Sequence, residues 1–184
     1  MTRSGVARLA VAALLVAAIA FAQDDRFAFM PAGGAQLAER VVAECGDCEG
    51  LEAWSEASRT AAEWRTYLRE RSLLQELSDA ESETLVRYLA TTFPTDDAVE
   101  GPADLPIDGR TLVLFQCQTC HSIATPMLED RATEYWLQHR TRPPHDGLDL
   151  TGAEWALIAN YLEVNAPIPE ASIPDEMRQG AGGY

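Results

Sequence analysis

The feature that most constrains how this chain can fold is an internal duplication. Aligning Cys45 with Cys117 and Cys48 with Cys120 brings Trp64 onto Trp136, each sixteen residues after its second cysteine. After a one-residue gap, Leu77-Ser-Asp-Ala-Glu81 falls on Leu150-Thr-Gly-Ala-Glu154, Tyr88-Leu89 on Tyr161-Leu162, and Pro94 on Pro167. Landmarks in one order with one gap mark two related halves, 35–94 and 109–168. One position breaks the match: Glu49 stands where the second half has His121.

Each half reads as three helices. Ala35–Glu44 and Gly109–Gln116 lead into the cysteine pairs, and Ser58–Arg71 and Asp130–Arg140 follow them. The third helices start at Ser78-x-x-Glu81 and Thr151-x-x-Glu154, both capping boxes, in which hydroxyl and carboxylate satisfy orphan N–H groups. Leu85, Val86 and Leu89 then recur at helical spacing, as do Trp155, Ile158 and Leu162. No run alternates at period two, so the expected class is all-α: two tandem small helical domains without a significant sheet. Residues 95–108, rich in Pro, Asp and Gly, read as a linker, and 169–184 as a disordered tail. A half of about 60 residues is near the size at which an apolar core alone is marginal, so something further should stabilise the second half.

That half contains Cys117-Gln-Thr-Cys120-His121. Two thiols three apart can add to the two vinyl groups of a haem, and the adjacent imidazole is then held against the iron. Cys-x-x-Cys-His is the attachment signature of c-type haem. The competing readings are weaker in pattern. A redox Cys-x-x-Cys belongs near a βαβ unit, which is absent, and a zinc site lacks a second close ligand pair. A plain disulfide with an incidental His is the blandest alternative. Cys45-Gly-Asp-Cys48-Glu49 lacks the axial ligand, so a Cys45–Cys48 disulfide without haem is expected there, in the first half. Trp54, Trp64, Tyr67, Leu73, Leu74 and Leu77 are the expected fillers of the space.

The N-terminus fits haem attachment after export. A short basic stretch, an unbroken apolar run from Leu9 to Phe21, and Ala20-Phe-Ala22 read as a cleaved secretory signal over 1–22. Removal leaves 162 of the 184 residues and takes away Arg3 and Arg8. Twelve Arg then face 29 acidic residues, with no Lys, for a net charge of about −17. Such a chain is not built to bind a nucleic-acid backbone. It suits a basic partner or solubility in salt. No second apolar stretch is long enough to cross a membrane, so no membrane association is expected after cleavage. No paired-carboxylate, Ser/His/Asp, phosphate-loop or dinucleotide constellation appears, so an enzyme is not expected.

Residues 109–168 resemble a class I c-type cytochrome domain: helix, "CQTCH", helix, Pro-rich loop, and a terminal helix bearing Tyr161-Leu162. Residues 35–94 resemble a second copy whose haem site is degenerate. The tandem pattern is also similar to small cytochrome subunits that take electrons from periplasmic dehydrogenases. The resemblance implies a periplasmic electron-transfer protein with one covalent haem c, anchored by Cys117 and Cys120 and ligated by His121. Its partner would be such a dehydrogenase or another cytochrome. The family pattern also places a Met on the far side of the iron, from a Pro-containing loop before the last helix. Here that loop is "TRPPHDG" and offers His145 instead. His139, Met127, Met30, Met177 or an open site stay as alternatives. An open site would make the chain a haem catalyst or gas-binding sensor.

Overall fold

The computed structural model describes residues 25–45, 54, 57–93 and 105–178. Its helices are α1 (Gly34–Glu44), α2 (Ala61–Glu70), α3 (Asp79–Thr92), α4 (Gly109–Gln116), α5 (Ala124–Met127), α6 (Thr133–His139), α7 (Gly152–Asn165) and α8 (Asp175–Arg178). The protein is mostly helical, with no strand among the described residues. The expected signal over 1–22, together with Cys48, Glu49 and most of the linker, lies outside them. Among the described residues no helix is long and apolar enough to cross a membrane.

The local start signals act as the sequence implies. Ser78 Oγ accepts from Glu81 N, and the Glu81 carboxylate takes Ser78 N at 2.8 Å. Thr151 and Glu154 do the same at α7. Thr60 and Glu63 form a third capping box at α2, so that helix starts later than Ser58. The cap holds the chain extended at Thr60 and turns it helical only after it.

The two halves repeat one packing scheme. The third helix of each half lies on its first and second: α3 on α1 and α2, α7 on α4 and α6. The two third helices also pack on each other, which places both halves inside one compact unit, Pro31–Tyr184. Leu85, Val86, Leu89, Ile158 and Leu162 are buried along these helices. Polar side chains tie the same seam: Asn165 Nδ2 donates to Thr84 Oγ1 at 2.8 Å, and Arg87 of α3 pairs with Glu163 of α7.

Asp108 serves both first helices. Its Oδ1 accepts from Thr111 N at 2.8 Å, capping α4, and its Oδ2 accepts from Ala35 N at 3.1 Å, at the start of α1. Gly33 permits this approach, because a Cβ there would sit 2.0 Å from Asp108 Oδ2. A buried carboxylate at two helix N-termini has its desolvation offset by donors aligned with both helix dipoles.

In the first half Cys45 is disulfide-bonded. Trp54 and Trp64 are fully buried with ring centres 6.1 Å apart, and Trp64 meets Tyr67 edge-on at 5.7 Å. Tyr67, Leu73, Leu74 and Leu77 are only half-buried. The chain turns rather than continuing as helix after Arg71, which leaves those leucines at the margin of the core.

The tail differs from expectation. Residues 170–172 form a 3-10 turn, Ile173 is buried, and α8 follows. Ser122 Oγ donates to Met177 O and Arg178 Nε to Ile173 O at 2.8 Å. One buried isoleucine and the Ser122 hydroxyl on the Met177 carbonyl hold a stretch whose Pro-rich composition suggests disorder. Residues 179–184 lie outside the described part.

Candidate functional site

Asp108 sets the start of α4, and α4 delivers the cysteines. The helix ends at Gln116 and the chain tightens into a 3-10 turn over Cys117–Thr119, with His121 N reaching Cys117 O at 3.4 Å. This winding brings Cys117, Cys120 and His121 to one cavity of about 220 Å³, partly open to solvent. Trp155, Ile158 and Leu162 of α7 close its apolar side. Trp136 and His139 come from α6, and Pro144, His145 and Leu148 from the loop before α7.

Both thiols are free, although three residues apart, in contrast to Cys45. Burial, and then the neighbouring Cys120, push the Cys117 thiol up to about 12. A redox-active dithiol is favoured by the opposite shift, toward thiolate at neutral pH. Among the described residues no three His, Cys, Asp or Glu side chains gather as a metal-ion site.

The three histidines all line this cavity. His121 Nδ1 lies 3.1 Å from Ser122 O. A carbonyl only accepts, so Nδ1 carries the proton of that contact and Nε2 is the nitrogen a metal would take. His145 opens a 3-10 turn, His145–Gly147, after the Pro143–Pro144 pair. Its ring centre stands 6.3 Å from that of His121, at 65°. An iron held between two imidazoles needs ring centres about 6 Å apart: two bonds of about 2 Å, plus about 1 Å from each nitrogen to its ring centre. His139 and His145 are 5.1 Å apart, too close for an iron between those two, while His139 stays an alternative to His145 as the partner of His121.

His145 Nδ1 and Trp136 Nε1 are buried without a hydrogen-bond partner, as is Trp64 Nε1 in the first half. Burial, then His139 and His121, hold the His145 imidazole below its ordinary range. A lowered value favours the neutral imidazole, the form that binds a metal. The thiol pair, the imidazole spacing and the apolar wall together fit a covalently held haem.

Met127 is fully buried in α5 and is not among the cavity's lining residues; its carbonyl takes Ile168 N at 2.9 Å, as a core residue. Met177 lies on α8, where its carbonyl meets Ser122. Met30 is buried and is not among the cavity's lining residues. Tyr135 is the cavity residue that motif reading misses. Its ring packs on Trp136 and His139, with centres 5.3 and 4.8 Å away, and its carbonyl meets His139 Nδ1 at 2.9 Å. The available signal was the four-residue spacing from Tyr135 to His139 on one helix.

No model of a known protein family, no curated protein and no solved structure matches this chain.

Proposed function

We propose that the chain is an exported c-type cytochrome with two cytochrome c-like halves, one haem, and a role in passing single electrons between periplasmic redox proteins. The single observation that carries this reading is the His121–His145 ring separation of 6.3 Å across the cavity that Cys117 and Cys120 line. A haem held there supplies an iron that gains and loses one electron.

The chain's own residues do the rest. Cys117 and Cys120 form the thioether anchors, so the cofactor does not leave with the electron. His121 and His145 would bind the iron, His121 with its Nδ1 held by Ser122 O. With both imidazoles engaged, a small substrate would have no open site to enter. Trp155, Ile158 and Leu162 exclude water from one side and lower the local dielectric. The first half has no counterpart to His121, and its paired Trp54 and Trp64 occupy its core, which supports a haem-free role for it. The acidic surface supports docking to a basic redox partner.

Carbon monoxide tests electron carriage against an open site. The reduced protein should not bind it on mixing, and His145→Ala should bind it at once. Immediate binding by the unaltered protein would favour a haem catalyst or gas sensor instead.

A further inference from the structure

We propose that His139 is a positioning residue for His145: its bare Nε2 accepts a hydrogen bond from His145 Nδ1 and so fixes which nitrogen of His145 faces His121. The proposal rests on reading the cavity as a haem site.

The argument starts at Tyr135. His139 Nδ1 lies 2.9 Å from the Tyr135 carbonyl, one helical turn back in α6. The carbonyl can only accept, so Nδ1 carries the proton of that bond and Nε2 is the nitrogen left to accept. The His139 ring stands 5.1 Å from the His145 ring at 73°. His145 Nδ1 is buried and makes no hydrogen bond in this structure. A metal-bound imidazole carries its proton on the nitrogen away from the metal, and that N–H seeks an acceptor. His121 has such an acceptor in Ser122 O, and His139 Nε2 is the one His145 needs. The polarity therefore runs one way, from Tyr135 O through two imidazoles, and leaves the His145 Nε2 lone pair free to face His121.

An acceptor on Nδ1 makes the ligand more electron-rich and favours the ferric state. Losing it should raise the reduction potential without removing the ligand. A residue that merely packs would not move that readout.

The test compares the full-length holoprotein with His139→Phe, which cannot accept, and His139→Gln, whose amide oxygen can. Haem content is measured first. All three should carry one haem and resist carbon monoxide on mixing. The potential should rise in His139→Phe and return toward the starting value in His139→Gln. Nitrogen-15 NMR of the unaltered ferrous protein supplies a check that needs no variant: His139 should be protonated at Nδ1 and bare at Nε2, with a slowly exchanging proton on His145 Nδ1. Carbon monoxide binding by His139→Phe would make His139 a ligand and overturn the proposal. So would an unchanged potential in His139→Phe, or the opposite His139 tautomer. Absence of covalent haem from the unaltered protein would instead overturn the haem reading itself, and this proposal with it.

Discussion

Tyr88 and Tyr161 make the same hydrogen bond in opposite directions. Tyr88 Oη donates to Pro106 O, and Tyr161 Oη to Pro31 O, each at 2.7 Å. Pro106 precedes Gly109, the first residue of α4, by three positions, and Pro31 precedes Gly34, the first residue of α1, by three. Each half thus holds the lead-in of the other half's first helix. Tyr88→Phe and Tyr161→Phe should each destabilise the protein by about 1 kcal/mol, the usual net worth of such a bond. Urea unfolding measures this, and because α3 and α7 share a core the transition should stay single. Two separated transitions would show that the halves unfold independently.

The same tyrosines crowd two glycines. A Cβ on Gly34 would sit 2.1 Å from Tyr88 Cβ, and one on Gly109 would sit 2.2 Å from Leu157 O and 2.6 Å from Tyr161 Cβ. The obstacle at Gly109 is backbone, which cannot swing aside. Gly109→Ala should cost about 1–3 kcal/mol, an overpacking penalty, and should shift α4 and the cysteines it carries. Thermal unfolding of holoprotein checks the stability, and the haem absorption band checks the displacement.

Much of the fold is legible because its signals are local. Ser78 and Thr151 announce their helices through a Glu three residues on, and those starts lie at the expected residues. Cys117, Cys120 and His121 come together because their spacing is that of one tight turn. What depends on distant contacts is harder to read. Ile173 orders the tail by burying one side chain, and nothing in its Pro-rich neighbours signals that. Met127 and His145 are both plausible by residue count, yet only the folded loop shows that Met127 turns into the core and His145 into the cavity. The shared core of the halves is likewise invisible to a pattern that repeats within each half.

Acid should weaken the seam between the halves. Hydrogen bonds from Thr133 and Arg87 hold the Glu163 carboxyl below its ordinary value. At Glu83 burial opposes the shift, but Arg87 and Arg65 outweigh it and the net direction is down. A depressed carboxyl contributes stability that is full above its unfolded value, near 4.5 here, and is lost as pH falls through the lower folded value. Stability measured from pH 6 down to about pH 3 should therefore fall. Glu163→Gln should flatten part of that slope, and an unchanged slope would show that Arg87 does not bridge the helices in solution.

The surface charge should steer encounter with a partner. The bimolecular rate of electron exchange with a basic redox protein should fall as ionic strength rises, because salt screens the attraction between opposite net charges. Stopped-flow kinetics across a salt series measures it. A flat or rising dependence would assign the acidity to solubility in salt.

The most direct measurement is intact mass, combined with a pyridine haemochrome assay, on protein matured in a host able to attach haem c. One haem per chain is expected, retained when Cys45 is replaced by Ala. Cys117→Ala and Cys120→Ala should each leave a single thioether, and the double replacement should abolish covalent attachment. Two haems per chain would contradict a haem-free first half, and none would contradict the cytochrome reading of the Cys117–His121 cavity.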